Sequence, residues 1–531
     1  MRIGIDVGGS HTDAVLVDGD RLLGTAKRPT SADIRTGIVE ALSALVIGTG
    51  LRGDRVDAVV MGTTQFLNAA VTASELAPTA IVRFTIPAPH TLMPLVFWPE
   101  RLVRAIGGTS YLCGGGHEFD GRDIMPFDRA AFRRIMEDIA ARDIRAVALS
   151  SVFSPVNADV EVEAAEMLAD RLPDVVVSRS SEIGQLGLLG RENATTLNAA
   201  LRPLADRVLE GLVHVVRIFG IRAPVYLSQN DGTLMDVERA RLYPIFTFSS
   251  GPVNSILGGG SLSGLDRCVV VDVGGSTTDI GVLHDGFPRL AVDEVSTAGL
   301  ITNFRMPDIL SIPVGGGSVV RLGPPVGAGP DTVASGLLRK ARVFGGDTLT
   351  VTDVAAAAGL LDIGDPARVA DLPDRDVRDV LDHVRARIAA EARVMCASTA
   401  DVPIVAVGGA AFLVPDDLVP GREVVRPDHG HAANAVGAAM ALVGSHVDRI
   451  APVPTGGAAD QVDRACQEAA DRVVAAGADP GTVRIVEQDA QPVPYLPGNA
   501  VRIRVRAVGK LDGALRQEQP DAEWGPRAVA R

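Results

Sequence analysis

The sequence repeats one eight-residue tract, reading Asp6-Val-Gly-Gly-Ser-His-Thr-Asp13 in the first copy and Asp272-Val-Gly-Gly-Ser-Thr-Thr-Asp279 in the second. The two copies differ at a single position, where His11 stands against Thr277. Each copy follows a short apolar run and precedes another, which is the pattern of two strands joined by a tight turn. The repetition therefore predicts the same β-hairpin in each half of the chain.

The glycines and hydroxyls of this tract suit a phosphate group. Glycine tolerates a positive φ and has no Cβ, so the backbone N–H groups of such a turn can approach phosphate oxygens. An ordinary glycine hairpin is the alternative for one copy alone, but two near-identical copies favour a clamp that holds phosphates from two sides. The phosphate-binding candidates are Gly8, Gly9, Ser10, His11 and Thr12 in the first copy and Gly274, Gly275, Ser276, Thr277 and Thr278 in the second.

The four aspartates of the tract are the catalytic candidates. Asp6 and Asp272 begin the turns, where a carboxylate can hold Mg²⁺ through water, because this ion dehydrates reluctantly. Asp13 and Asp279 lie on the return strands and could orient or deprotonate an attacking group. The sequence does not decide which of these two carboxylates is the base.

A third glycine pair follows an apolar run in the second half. Val405-Ala-Val407 leads into Gly408, Gly409 and Ala410, which we expect to cover an adenosine. This order of elements resembles the superfamily of actin, heat-shock chaperones and sugar kinases. The resemblance implies an α/β fold with two actin-like lobes, built from duplicated ribonuclease H-like domains, with ATP in the cleft between them.

Composition excludes several other classes of protein. The net charge of −14 argues against non-specific nucleic-acid binding, which depends on neutralising phosphates with Lys and Arg. No uninterrupted apolar stretch approaches the length of a membrane span, so no membrane association is expected. The four cysteines form no C-x-x-C pair, and the first strand starts too close to Met1 for a signal peptide, so a reducing cytoplasm is expected.

The alternation of predicted strands and helices divides the chain into four parts. Residues 1–78 are the first-lobe core with the first turn, and residues 79–185 are an inserted α/β subdomain. Residues 186–450 hold the remainder of the first lobe and the second lobe, with the second turn and the adenosine loop. Residues 451–531 are a small C-terminal unit and a polar tail.

Further tracts follow the first turn in a fixed order. They are Met61-Gly-Thr-Thr-Gln-Phe-Leu-Asn-Ala69, Arg191-Glu-Asn-Ala-Thr-Thr-Leu-Asn-Ala199, Ser228-Gln-Asn-Asp-Gly-Thr-Leu-Met235, Ser249-Ser-Gly-Pro-Val-Asn-Ser255 and Asp308-Ile-Leu-Ser-Ile-Pro-Val-Gly-Gly-Gly-Ser318. This series resembles the hydantoinase A/5-oxoprolinase family. The chain departs from the commonest family pattern at Ser10-His11, where Thr-Phe is usual, and it is shorter than typical members.

The resemblance implies an ATP-dependent hydrolase that opens a cyclic amide, such as a hydantoin or a 5-oxoproline-like lactam, with ATP and Mg²⁺. Phosphorylation of the carbonyl oxygen would overcome amide resonance and let water attack the carbon. A B-type partner subunit and an oligomeric assembly are implied as well. The alternatives are a small-molecule kinase, an ATP-dependent carboxylase subunit and a non-catalytic ATP switch.

Two of the tracts supply candidates for the substrate side of the cleft. Thr63, Thr64 and Asn68 stand at a strand-to-helix junction, where capping of the helix is the alternative role. Gly315, Gly316, Gly317 and Ser318 follow a strand, where a plain glycine turn is the alternative.

Overall fold

The computed structural model describes residues 1–30, 34–85, 92–291, 295–399, 401–451, 457–493 and 499–512. The strands, numbered in chain order, are Arg2–Val7 (β1), His11–Asp18 (β2), Arg21–Pro29 (β3), Ala58–Thr63 (β4), Thr79–Phe84 (β5), Thr109–Cys113 (β6), Ala146–Ser151 (β7), Val176–Arg179 (β8), Val225–Ser228 (β9), Thr233–Asp236 (β10), Cys268–Val273 (β11), Thr278–His284 (β12), Phe287–Pro288 (β13), Val295–Thr297 (β14), Leu300–Thr302 (β15), Ile309–Ile312 (β16), Ser318–Arg321 (β17), Gly327–Thr332 (β18), Ile404–Val407 (β19), Val424–Val425 (β20), Leu442–Ala451 (β21), Arg484–Pro492 (β22) and Val501–Gly509 (β23). The helices are Ile34–Thr49 (α1), Gln65–Thr72 (α2), Glu100–Ile106 (α3), Arg129–Ala141 (α4), Asp159–Arg171 (α5), Leu188–Ile218 (α6), Val237–Leu242 (α7), Ser250–Ser263 (α8), Leu337–Lys340 (α9), Val351–Ala357 (α10), Asp374–Ala397 (α11), Ala433–Met440 (α12) and Ala458–Ala475 (α13).

The first lobe is built on a nine-stranded sheet with the order β22-β23-β21-β10-β9-β4-β1-β2-β3. Its central strands are apolar on both faces, which is expected of strands covered by helices on both sides. On one face, Ile3 and Ile5 of β1 pack with Leu42 of α1 and Leu201 of α6 in a large buried core.

The second lobe repeats the centre of the first. Its sheet has the order β13-β12-β11-β19-β20, with β16 paired beside β12. In both lobes the first strand of the hairpin pairs antiparallel with the second and parallel with a later strand, which is β4 for β1 and β19 for β11. The second lobe has its own hydrophobic core, in which Val269 and Val271 of β11 pack with Val380 of α11.

The range predicted for the inserted subdomain contains a four-stranded parallel sheet with the order β6-β5-β7-β8. Its core lies between this sheet and the helices α4 and α5. Phe84 of β5 packs there with Phe132 of α4 and Ala164 of α5. Helix α6 covers the other face and joins this subdomain to the first lobe.

The C-terminal unit extends the first-lobe sheet. Strand β21 pairs parallel with β10 and antiparallel with β23, and β22 adds a further strand beyond β23. Helix α13 packs on these strands, with Ala465 against Val447 and Ile503. The polar tail predicted beyond residue 512 lies outside the described residues.

Helices α8 and α12 cross between the two sheets. Helix α8 follows the first-lobe strands but packs on β11, β12 and β19, whereas α12 follows the second lobe and packs on β1, β2 and β4. A Cβ on Gly258 would lie 1.9 Å from the Ala433 carbonyl oxygen, and a Cβ on Gly437 would lie 1.9 Å from the Asn254 carbonyl oxygen. The glycines therefore allow the two helix backbones to touch. None of the described helices is long and apolar enough to cross a membrane.

Candidate active site

The two repeated turns have the same internal geometry. The N–H of Gly8 donates to the His11 carbonyl at 3.0 Å, and the N–H of Gly274 donates to the Thr277 carbonyl at 2.9 Å. Asp6 pairs with Asp13 in the register of the first hairpin, as Asp272 pairs with Asp279 in the second. The predicted duplicated hairpin is therefore confirmed.

The glycines of the two turns are required because a side chain would take up room there, and not because the backbone adopts angles that only glycine favours. None of Gly8, Gly9, Gly274 and Gly275 has a positive φ. A Cβ on Gly9 would meet nothing within 4 Å, so its backbone is open to a ligand. A Cβ on Gly275 would lie 3.1 Å from Ser10 Oγ. The two turns therefore face each other at contact distance across the cleft.

A chain of polar contacts joins the carboxylates that begin the turns. Asn434 Nδ2 donates to Asp6 Oδ2 at 3.3 Å, and Ser255 Oγ donates to Asp272 Oδ2 at 2.5 Å. Ser255 also contacts the side-chain oxygen of Asn434. Ser255 lies on α8 and Asn434 on α12, so each crossing helix supplies one side chain to the carboxylate of the lobe that it covers. Sequence reasoning missed both residues in this role.

Burial shifts the pKa values of three of the four aspartates upwards. Burial, with help from the charges of Asp13 and Asp272, raises the pKa of Asp6 to about 7. Burial likewise raises the pKa of Asp272, and it raises the pKa of Asp279 to about 6, although Ser311 donates a hydrogen bond to that carboxylate. Desolvated carboxylates in a cleft are poised to bind a cation or to accept a proton near neutral pH.

Lys27 is a further site residue that sequence reasoning missed. It lies on β3 opposite Asp13, and its Nζ is 3.1 Å and 3.0 Å from the two carboxylate oxygens of Asp13. Its charge lowers the pKa values of Asp6 and Asp272, against the larger effect of burial. His11 lies nearby, with Nδ1 3.1 Å from Ser10 Oγ, and burial together with Lys27 lowers its pKa. Among the described residues of the cleft, the ammonium of Lys27 thus lies among several carboxylates, near an imidazole whose pKa is lowered.

The third glycine pair lies beside the second turn. Gly408 has φ +92, and a Cβ there would lie 2.2 Å from Asp272 Oδ1. The N–H of Ala410 donates to the Val273 carbonyl at 2.8 Å, which ties this loop to β11. A Cβ on Gly409 would meet nothing within 4 Å. The structure brings this loop to the second carboxylate, and its contact with an adenosine stays a prediction.

The glycine run after β16 supports the second turn. The N–H of Gly316 donates to the Gly274 carbonyl at 3.0 Å, and the N–H of Gly317 donates to the Gly275 carbonyl at 2.7 Å. The N–H of Gly315 donates to Ser318 Oγ at 2.9 Å. These three N–H groups are therefore occupied within the protein, and a role of the run in substrate binding stays a prediction.

The Thr63 region lies at the start of α2. Thr63 Oγ1 accepts from the N–H of Gln65 at 3.2 Å, so this hydroxyl serves the first turn of the helix. Asn68 is exposed, with Nδ2 3.5 Å from Thr64 Oγ1. A substrate-binding role for these three residues stays a prediction.

The arrangement fits a hydrated divalent cation. Within the described ranges, no group of three or more His, Cys, Asp or Glu side chains is placed to enclose a metal ion. Asp6 Oδ1 is buried, however, and has no hydrogen-bond partner among the described residues. A buried carboxylate oxygen without a partner is well suited to accept from the water shell of Mg²⁺.

Two family models match successive parts of the chain. The hydantoinase/oxoprolinase N-terminal region matches residues 2–172, and hydantoinase/oxoprolinase matches residues 191–471.

Two curated relatives are identical to the chain at about a quarter of the aligned positions. Caprolactamase subunit alpha of Pseudomonas jessenii is 27% identical over 399 residues, which cover 68% of this chain and 54% of that protein. The acetophenone carboxylase gamma subunit of Aromatoleum aromaticum is 24% identical over 403 residues, covering 68% of this chain and 53% of that protein. The chain therefore spans about half the length of these relatives.

Two solved structures share the fold. The ATP-dependent caprolactamase from Pseudomonas jessenii superimposes with a TM-score of 0.76 at 19% identity, covering 96% of this chain and 88% of that chain. Nucleotide-free acetone carboxylase superimposes with a TM-score of 0.72 at 17% identity, with the same coverage of both chains. The expected α/β fold, with two actin-like lobes and an inserted subdomain, is confirmed.

Proposed function

Because the chain belongs to the hydantoinase/oxoprolinase family, we propose that it is the ATP-binding part of an ATP-dependent hydrolase that opens a cyclic amide. The substrate class is a hydantoin or a 5-oxoproline-like lactam. The name of one relative, caprolactamase subunit alpha, also specifies a lactam as its substrate.

One observation carries this proposal. The turns at Gly9 and Gly275 face each other, and each begins with a carboxylate, Asp6 or Asp272, that is held by a crossing helix. Backbone N–H groups from two sides would bind the phosphates of ATP, because glycine turns leave these donors open to oxygen ligands. Water-mediated contacts to Asp6 and Asp272 would hold Mg²⁺, which neutralises phosphate charge when it is bound.

We assign a separate role in the reaction to each charged side chain around the turns. A lactam carbonyl is a poor electrophile, and transfer of a phosphoryl group from ATP to its oxygen would let water add to the carbon. The ring C–N bond would then break, with a proton from the added water passing to the nitrogen, and a second water would release phosphate from the acyl phosphate that remains. Lys27 would stabilise negative charge on the transferred group, since its Nζ already lies beside Asp13 in the cleft. Asp13 or Asp279 would orient the attacking water or accept its proton.

The direct test is ATP hydrolysis by the purified chain with a panel of hydantoins, 5-oxoproline and small lactams. Ring opening coupled to release of ADP and phosphate supports the proposal. A stable phosphorylated product would point to a small-molecule kinase instead. ATP binding with no stimulation by any cyclic amide, alone or with a partner, would point to a non-catalytic ATP switch.

A carboxylase subunit is the second candidate, because the acetophenone carboxylase gamma subunit is also among the relatives. This function predicts ATP consumption that depends on bicarbonate and a ketone and that leaves cyclic amides intact. The relatives are named as subunits. We therefore propose an oligomeric assembly with a hydantoinase B-type partner, and both assays should be repeated with a co-encoded protein of that type.

A further inference from the structure

Asn254 is a buried polar side chain for which the contacts described above provide no role. It lies on α8, one residue before Ser255, and is fully buried. Neither its side-chain oxygen nor its side-chain nitrogen has a hydrogen-bond partner among the described residues. A buried carboxamide without partners costs about 1–3 kcal/mol for each unmatched group, so a bound water or a ligand is expected to partner it.

The side-chain nitrogen of Asn254 and the unpartnered Oδ1 of Asp6 both lie next to Gly62. The register of β1 and β4 sets Asp6 beside Gly62. A Cβ on Gly62 would lie 2.6 Å from Asn254 Nδ2 and 2.7 Å from Asp6 Oδ1. Any larger residue at position 62 would push these two polar atoms apart. Gly62 therefore lets one unpartnered amide and one unpartnered carboxylate oxygen converge at the same point.

Among the described residues, no such pair of buried, unpartnered atoms lies beside Asp272 in the second lobe. Asp272 Oδ2 is bound by Ser255, and its Oδ1 lies against the backbone of Gly408. The unmatched polar atoms are thus concentrated on the first-lobe side of the cleft, next to the turn at Gly9. A ligand that both accepts and donates hydrogen bonds would satisfy them together.

We propose that Asn254 is a positioning residue of the nucleotide site, which acts with Asp6 Oδ1 on the water shell of the Mg²⁺ that accompanies the phosphates. The inference rests on the proposed function in that it takes Mg·nucleotide as the ligand of the cleft. The carboxamide oxygen and Asp6 Oδ1 accept from metal-bound water, and the carboxamide nitrogen donates to a phosphate oxygen. Asn254 therefore controls how strongly Mg²⁺ tightens nucleotide binding.

The test is calorimetric titration of the full chain with ADP, at a series of Mg²⁺ concentrations and in EDTA. Wild type should bind ADP more tightly as Mg²⁺ rises. Asn254→Ala should reduce this tightening roughly 10- to 100-fold, the usual effect of losing an outer-shell partner. In EDTA its affinity for ADP should fall by a smaller factor, because only the one hydrogen bond to phosphate is lost. Ser261→Ala, at an exposed position of the same helix, is the matched control and should behave as wild type.

The outcomes separate the inference from the function on which it rests. Equal Mg²⁺ dependence in Asn254→Ala and wild type would overturn the role of Asn254 and leave the proposed function standing. Failure of wild type to bind ADP at any Mg²⁺ concentration would overturn both. A crystal structure of wild type with Mg·ADP checks the same point without a variant. An Asn254 side chain outside hydrogen-bond distance of the metal-bound waters and the phosphates would contradict the proposal.

Discussion

Gly258 and Gly437 make reciprocal contacts at the crossing of α8 and α12. Each glycine packs against the carbonyl oxygen of the residue four positions before the other glycine, with 1.9 Å between that oxygen and the position of the absent Cβ. Ser255 and Asn434 lie three residues before these glycines and contact each other at the crossing. The crossing therefore positions both carboxylates of the cleft through one contact between helices.

Gly258→Ala should destabilise the protein strongly, because a methyl group cannot fit against a backbone oxygen without moving one helix. We expect a loss of about 3 kcal/mol or more in the free energy of unfolding. Gly48→Ala is the matched control, since Gly48 lies in α1 with nothing within 4 Å of its Cβ position. That variant should gain roughly 0.5–1 kcal/mol. Denaturant unfolding measures both, and equal stability of the two variants would contradict the packing described here.

Asp272→Ala should abolish Mg-dependent ATP turnover, with kcat at least about 100-fold lower, while the fold stays intact. The substitution removes a half-buried carboxylate whose pKa is raised by desolvation, so we expect little loss of stability in the folded state. ATPase assays and circular dichroism measure the two effects. Full activity in this variant would remove the second turn from the site.

Asp6→Asn should stabilise the nucleotide-free and metal-free protein above neutral pH. Burial raises the pKa of Asp6 from an ordinary value of 3.8 to about 7, so the folded state holds this proton more tightly than the unfolded chain. The carboxyl therefore lowers stability as pH rises between these values, by roughly 1.4 kcal/mol for each unit of pKa difference at most. The melting temperature of the variant should exceed that of wild type at pH 8, and the difference should shrink towards pH 4. A variant less stable than wild type at pH 8 would refute this account.

Lys27→Met should lower ATP turnover by about 100-fold and shift the acidic limb of the pH–rate profile to higher pH. The shift follows because Lys27 lowers the pKa values of Asp6 and Asp272, so its removal lets them rise further. Lys27→Arg should keep part of the ATP turnover and should shift the acidic limb less than Lys27→Met does. Lys340→Met, at an exposed lysine far from the turns in sequence, should leave the profile unchanged.

Gly408→Ala should destabilise the second turn, whereas Gly409→Ala should leave stability unchanged. Gly408 has φ +92, and a Cβ there would collide with Asp272 Oδ1, while the Cβ position of Gly409 is free. A difference of about 2 kcal/mol or more in the free energy of unfolding between the two variants is expected. Similar stabilities would mean that the Asp272 carboxylate does not lie where it is described.

The duplicated hairpins could be predicted from sequence because strand, turn and return strand are local and repeat nearly letter for letter. Lys27 could not be placed beside Asp13 in this way, because a register shift between Leu16 and Val17 alters the pairing of β2 with β3. Counting back from the turn at Asp18 would have set Ala26 opposite Asp13.

The contact of Ser255 with Asn434 was beyond sequence reasoning for a different reason. The two residues lie on helices from different halves of the chain, and only the crossing at Gly258 and Gly437 brings them together. Glycine's tolerance of a positive φ is not used in the two turns, because the hairpins close without a positive φ at these four glycines. What those positions need is the absence of a side chain between the facing turns.

The pairing of β21 with β10 has a consequence for the order in which the molecule is made. Strands β1 to β4, β9 and β10 leave the ribosome early, but their sheet gains β21 and β23 only after the whole second lobe has been synthesised. The second lobe draws its strands from one continuous stretch, β11 to β20. During translation the lobe that begins first is thus the one that is finished last, and its open edge at β10 is covered only when the final strands arrive.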